Sequence, residues 1–339
     1  MTKPSMKAFR SHALTGIDSL QLEHIDKPGP LTSGQVRVTM RAASLNYRDF
    51  LALSGQLRAP QGGLIALSDG AGEISEVASD VHHIKVGDRV AITFNAGWIG
   101  GPWRMETSLN TRCCPLQGVM QEEMVVQHSE VVKLPAHLSF AEGATLPCAA
   151  VTAWYALCGP APLMPGMNVL LQGAGGVSVF ALQFAKLFGA RVIMISSSAE
   201  RCQRLRELGA DECINYREVP DWQQRVRELT GGMGVDLAID IGGAQTIDRT
   251  IAATTVGGRV APVGLITGWP NAISSLFSSS VDITPVRVGS RDDFVSMNRA
   301  IDFHKLKPVI DSVYSFEQLP EALRHLETGR QFGKVVIGF

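Results

Sequence analysis

The plainest chemistry in this chain lies between residues 168 and 201, which read NVLLQGAGGVSVFALQFAKLFGARVIMISSSAER. The apolar run over 168–171 predicts a buried parallel strand, and Gly173, Gly175 and Gly176 predict a tight turn. A helix over 177–188, opening at Val177, leaves that turn. Such a turn lets a pyrophosphate approach bare backbone at a helix N-terminus, where unpaired N–H groups carry partial positive charge. The run over 191–195 predicts a second strand, completing the βαβ unit that gives a glycine pattern its meaning. At the tip of that strand an acidic residue would accept the ribose 2′-hydroxyl of NAD; Ser196, Ser197 and Ser198 stand there instead, followed by Arg201. Hydroxyls and a guanidinium suit a 2′-phosphate, so the spacing predicts NADP(H). Glu200 falls in the next helix, and Ser178 takes the place of the third glycine of the fingerprint.

The rest of the chain must position this unit. Its 339 residues suggest two domains, and 45% hydrophobic with 19% charged residues is ordinary for a soluble enzyme with a sizeable core. A net charge of −1, with dispersed basic residues, argues against a nucleic-acid footprint or a membrane-binding stripe. The start, MTKPSMKAFR, lacks the apolar core of a secretory signal. No framework spacing links the six cysteines, so reduced thiols in a cytoplasm are expected. Up to about residue 134 the pattern is of short strands, at 36–41, 72–77, 88–94, 124–126 and 131–134. Ser139 with Glu142 then predicts a capping box, and a helix over 151–158 ends before Pro160 and Pro162.

Beyond the glycine turn, strands at 169–172, 192–196, 212–215, 235–240, 259–264 and 282–288 alternate with helices at 199–208, 221–229 and 244–253. A short polar loop covers 274–280. This alternation predicts an α/β, doubly wound parallel (Rossmann) sheet. A helix at 292–304, a strand at 312–316, a helix at 319–328 and a strand at 334–337 follow, and this tail is expected to rejoin the first domain. The expected division is 1–148 together with 289–339, and 149–288 for the dinucleotide-binding domain.

These segments, with SLNYRDFLALSGQ, SDGAGEISEVASDVHHIKVGDRV, LGADECINYRE, VDLAIDIGGA, PVGLITG and LETGRQFGKVVIGF in order, resemble the medium-chain dehydrogenase/reductase superfamily, in its zinc-free, quinone-oxidoreductase-like branch. The resemblance runs along nearly the whole chain. It implies an N-terminal chaperonin-10-like β-barrel domain, completed by the C-terminal tail, a Rossmann domain, and a cleft between them. Zinc-bearing members hold their catalytic ion with a Cys where this chain has Asn46, a His where it has Ser68, and a Cys matched by Cys148. One thiolate with an amide and a hydroxyl is a poor zinc set. Cys113-Cys114 lacks the spaced partners of a structural zinc lobe, and His82-His83 reads as a solvated turn. No metal is expected.

Without a Lewis acid, a carbonyl must be polarised by hydrogen-bond donors. The resemblance points to Asn46 and Tyr47 as donors to the substrate oxygen, with Asp49 supporting them; Arg48 and Asp49, adjacent in sequence, are expected to form a local ion pair holding the loop. Asn46 as a helix cap and Tyr47 as a packing aromatic are the bland readings. Trp98 and Trp103, in a glycine-rich loop, suggest a substrate lid or wall, or plain packing. On the cofactor side Cys148 is counted among the cofactor-binding residues, and the resemblance places Thr152 beside the nicotinamide end and Tyr216 against the 2′-phosphate. It lines the pocket with Gly242 and Gly264, and sends Lys334 to the pyrophosphate. The implied activity is NADPH-dependent hydride transfer to a quinone or α,β-unsaturated carbonyl, on a small-molecule substrate and without nucleic acid or membrane. A zinc-free alcohol dehydrogenase or aldehyde reductase, and a non-catalytic NADPH-binding protein, are the alternatives. A homodimer through the 282–288 edge is expected.

Overall fold

The computed structural model describes residues 4–159, 161–268, 270 and 279–339. Pro160 and most of the expected 274–280 loop lie outside them. The chain divides into two compact units, Met1–Val151 with Gly289–Phe339, and Thr152–Val288. The break falls at 151/152 rather than 148/149, because residues 146–150 continue a helical path into helix Val151–Cys158.

The first unit carries strands β1 (Ser5–Ser11), β2 (Leu20–Asp26), β3 (Gln35–Ser44), β4 (Leu64–Ile65) and β5 (Asp69–Val77). It continues with β6 (Arg89–Ile92), β7 (Glu123–Gln127) and β8 (Val131–Lys133). The second unit supplies β9 (Asn168–Gln172), β10 (Arg191–Ser196), β11 (Glu212–Asn215), β12 (Val235–Asp240), β13 (Thr254–Pro262) and β14 (Asp282–Ile283). The tail returns to the first unit with β15 (Ile310–Ser315) and β16 (Lys334–Gly338).

In the first unit the strand order is β15-β16-β3-β5-β6-β8, with β7 also pairing β3, beside a smaller sheet β2-β1-β4. Val36, Val38 and Met40 are buried along β3 while Arg37 and Arg41 turn outward, the period of two that a half-buried strand requires. Helix Tyr47–Leu53 follows β3 with Asn46 at its N-cap, the capping position that Asn46 offered as an alternative to substrate binding. The β1–β2 pair was missed, because its outward residues on β2 are mostly polar and leave a weak alternation.

The second unit has the order β11-β10-β9-β12-β13-β14, parallel throughout. This is the doubly wound arrangement, with the ligand-binding crevice at the carboxyl ends of β9 and its neighbours. β9 and β10 are buried on both faces beyond their first residue, as parallel strands flanked by helices must be. The strand expected over 282–288 is cut to Asp282–Ile283. Beyond it the Thr284 and Val286 N–H groups still donate to Val260 O and Pro262 O at 3.0 and 2.9 Å, and Val288 then takes φ 65°, a left-handed conformation that ends extension.

Candidate functional site

In the first unit the sheet register gathers a buried polar cluster. β16 pairs with the end of β3, Val336 opposite Ser44, and Leu45 N–H donates to Val335 O at 3.0 Å. β5 pairs on the other side of β3, Asp69 opposite Ser44. Asn46, Ser68, Asp69 and Lys334 therefore converge from three strand ends.

Lys334 is only 3% exposed. Its Nζ donates to Leu45 O at 2.5 Å and to Asn46 Oδ1 at 2.6 Å. Asn46 Nδ2 donates to Ser68 Oγ at 3.3 Å, and Ser68 Oγ donates to Asp69 Oδ1 at 3.2 Å. Asp69 Oδ2 accepts the backbone N–H of Cys148 at 3.1 Å. The hydrogen bonds thus run in one direction from an ammonium to a carboxylate. Burial pushes the Asp69 carboxyl above its ordinary value, opposed by the Lys334 charge, and burial lowers Lys334. Lys334, expected at a pyrophosphate, places its ammonium on Leu45 O and Asn46 Oδ1 within its own unit.

Asp49 is fully buried as the third residue of helix Tyr47–Leu53, and its Oδ2 accepts the Asn46 backbone N–H at 2.7 Å. Its Oδ1 has no hydrogen-bond partner among the described residues. Burial pushes this carboxyl up to about 7, against the nearby charge of Arg48. The expected Arg48–Asp49 ion pair does not form. Arg48 instead donates to Arg112 O at 2.8 Å and lies over the Phe94 ring at 4.7 Å, reaching away from the helix it belongs to. Tyr47 is 48% exposed and meets Phe50 edge-on at 6.0 Å. Trp98 is 1% exposed with its indole N–H on Gly101 O at 3.0 Å, which accords with the packing alternative. Trp103 is half-buried.

As a zinc set, Asn46, Ser68 and Cys148 fit poorly. The amide oxygen is taken by an ammonium, the hydroxyl gives its proton to Asp69, and burial pushes the Cys148 thiol up to about 12. Among the described residues no three His, Cys, Asp or Glu side chains gather as a metal set. His82 and His83 lie in an exposed turn, with the His83 ring edge-on to His128 at 4.8 Å.

In the second unit, β9 delivers the glycine turn. Gly173 has φ 74°, where a side chain would be strained, and Gly175 caps helix Gly176–Leu187 with open space where a Cβ would stand. Val177 is half-buried in the first turn of that helix, and the Ser178 hydroxyl donates to Gln172 O, tying helix to strand where the fingerprint has glycine. Ser197 and Ser198 are half-buried after β10; Ser198 Oγ caps helix Ala199–Glu207, and the Arg201 guanidinium reaches Ser197 Oγ at 3.5 Å. Tyr216, 40% exposed, donates its backbone N–H to Ser196 O at 3.0 Å, which brings it beside the same serines. Ser196 itself is fully buried as the last residue of β10, so its side chain is not offered to a ligand as expected. Thr152 is also buried, 3% exposed.

Sequence reasoning missed a buried network under these loops. Gln172 Nε2 donates to Asp240 Oδ2 at 2.9 Å and to Thr250 Oγ1 at 2.7 Å, while Gln172 Oε1 accepts from the Gly242 N–H at 3.3 Å. Asp240 Oδ1 accepts from Gly243 N and Thr246 Oγ1. The network fixes the turn carrying Gly242, and a Cβ at Gly264 would meet Ile241 O at 2.4 Å. The only signal for it was a glutamine and an aspartate ending two apolar strands. Cys202 and Cys213 form a disulfide with Cα atoms 5.2 Å apart, against the expectation of reduced thiols throughout. Helix Ala199–Glu207 packing on β11 brings them together. No helix of the described residues is long and apolar enough to cross a membrane.

Comparison with known proteins covers both units. A zinc-binding dehydrogenase model matches residues 176–303, and an alcohol dehydrogenase GroES-like domain model matches residues 32–136. A zinc-type alcohol dehydrogenase-like protein of Schizosaccharomyces pombe is 36% identical, over 96% of each chain. The solved structure of a provisionally named alcohol dehydrogenase of Sinorhizobium meliloti is 36% identical, with a TM-score of 0.91 over 100% of both chains. That of a Pseudomonas syringae quinone oxidoreductase is 27% identical, with a TM-score of 0.84 over 98% of this chain and 100% of that one.

Proposed function

We propose that this chain, which belongs to the zinc-binding dehydrogenase family of the medium-chain dehydrogenase/reductase superfamily, is an NADPH-dependent, zinc-independent oxidoreductase that delivers hydride to a quinone or α,β-unsaturated carbonyl. Membership makes it a pyridine-nucleotide oxidoreductase with a small-molecule substrate. The finer reading is supported by the cluster that stands in place of a metal set, an amide held between an ammonium and a hydroxyl that in turn donates to a carboxylate.

When bound, the nicotinamide supplies the hydride. Addition of that hydride to a conjugated carbonyl leaves negative charge on its oxygen, and Asn46 Nδ2 is the donor we assign to that charge. Tyr47, 48% exposed and next to Asn46 in the chain, is the group we assign to donate a proton to the reduced product. Asp49 holds the Asn46 backbone through its 2.7 Å bond. Selection for NADPH falls to Arg201, Ser197, Ser198 and Tyr216, with no carboxylate at the tip of β10.

The test is NADPH and NADH oxidation by metal-stripped protein with a p-quinone, an enone, an aldehyde and a saturated ketone. Quinone or enone turnover that survives chelation and prefers NADPH is the expected result. Activity that appears only with added Zn²⁺ would overturn zinc independence, and equal use of NADH would overturn the 2′-phosphate assignment. The names of the alcohol dehydrogenase relatives favour a second reading, direct reduction of an unconjugated carbonyl, which turnover of the aldehyde and saturated ketone but not the enone would establish.

A further inference from the structure

Lys334 is a costly side chain to bury in the first unit. A buried ammonium has lost its hydration and persists only where carboxylates and hydrogen bonds compensate it. Here Leu45 O and Asn46 Oδ1 accept from it, and the charges of Asp69 and Asp49 lie within reach. Nothing in the packing of β16 demands this: Val335, Val336 and Ile337 beside it are wholly apolar and buried.

The contact with Asn46 also decides which way the amide faces. An ammonium can only donate, so the atom against it must be the oxygen, and Nδ2 must point towards Ser68. An amide whose oxygen accepts from a cation becomes a better donor at its nitrogen, because successive bonds in one chain polarise each other. The 3.3 Å contact of Nδ2 with Ser68 Oγ is the longest in the chain and the one an incoming oxygen would replace. Asn46 is half-buried and accessible, whereas Lys334 is not.

We propose that Lys334 is a positioning residue whose buried ammonium fixes and polarises the Asn46 amide, supplying through it the positive charge that the unsuitable metal ligands cannot hold. This rests on the assignment of Asn46 as the donor to the substrate oxygen. It separates Lys334 from cofactor binding altogether.

In the full chain, Lys334→Met removes the charge and keeps the stem. With a p-quinone, kcat is expected to fall about ten- to hundredfold, the range for weakening one oxyanion donor. KM for the quinone and the NADPH dissociation constant should change by less than about threefold. Lys334→Arg should recover part of kcat. In an Asn46→Ala background Lys334→Met should cost nothing further, because the lysine acts through the amide. An additive loss there, or a tenfold rise in the NADPH dissociation constant, would overturn the proposal. Should Lys334→Met fail to fold with Asp69 left uncompensated, Lys334→Met/Asp69→Asn removes both charges and carries the same expectations. If the wild-type protein reduces no quinone or enone, the proposed function fails, and the side-chain amide resonances of Asn46 decide this point alone. They should shift between wild type and Lys334→Met, and unchanged resonances would overturn the role of Lys334.

Discussion

Asp49→Asn should make the protein more stable in alkaline solution, although it alters a buried residue of the candidate site. In the fold, burial raises the Asp49 carboxyl to about 7, from an ordinary 3.8 in the unfolded chain. A folded value above the unfolded one gives stability that is complete below 3.8 and lost as the pH climbs through 7, because the unfolded state sheds the proton first. Between pH 5 and pH 8 the unfolded carboxyl is already ionised, while the folded one ionises only near 7. The loss over that window is therefore roughly two pH units at about 1.36 kcal/mol each, or about 2.7 kcal/mol. For a unit of around 200 residues this corresponds to a fall in melting temperature of roughly 5–11 °C. Asparagine keeps an oxygen for the Asn46 N–H and cannot ionise, so its melting temperature should lack this fall. Thermal unfolding by circular dichroism at pH 5, 6, 7 and 8, wild type against variant, reads the difference directly. Parallel curves for the two proteins, or a variant that loses more stability than wild type above pH 7, would refute the assignment of a raised carboxyl to Asp49.

The remaining predictions concern the nucleotide half. Arg201→Ala should raise the NADPH dissociation constant tenfold or more, since a charge-assisted phosphate contact is worth about 1.5–3 kcal/mol, and leave NADH binding nearly unchanged. Fluorescence titration with both nucleotides checks it, and equal losses would remove Arg201 from the phosphate. Gly264→Ala places a Cβ against Ile241 O, 2.4 Å away, so the turns after β12 and β13 must part. A loss of about 1–3 kcal/mol in unfolding and weaker binding of both nucleotides are expected, and unaltered melting and binding would show that the turns are free to yield.

The Rossmann half was readable because its signals are local and redundant. The glycine turn, the apolar run before it and the serines after the next strand each lie within a few residues of the feature they specify. Parallel strands buried on both faces also leave little room to misplace the period. Errors came where a tertiary contact overrides a local pattern. Ser196 belongs by type with Ser197 and Ser198, yet it is still inside β10, and one residue decides whether a hydroxyl meets the ligand or the core. Trp98 sits among glycines that suggested exposure, but those glycines let the chain fold its indole inward onto Gly101 O. The strand over 282–288 had the right composition, but only Asp282–Ile283 is regular strand, and Val288 turns left-handed.

The first unit was less legible, because its decisive contacts join residues far apart in sequence. Lys334 and Asn46 are 288 positions apart, and only the pairing of β16 with β3 makes them neighbours. By residue type alone a lysine near the end of the chain suits a phosphate, which is how the resemblance assigned it. The discordant signal was present in FGKVVIGF, one lysine opening an otherwise apolar strand, where a cation has no reason to stand unless something inside requires it. Asn46 shows the complementary error. Capping a helix and donating to a substrate looked like rival fates, but its backbone N–H is the group engaged by Asp49, and its amide is engaged separately by Lys334 and Ser68. Because the two ends of one residue answer to different partners, the helix start at Tyr47 is what aims the amide, and a change that loosened the cap would misdirect the donor without touching it.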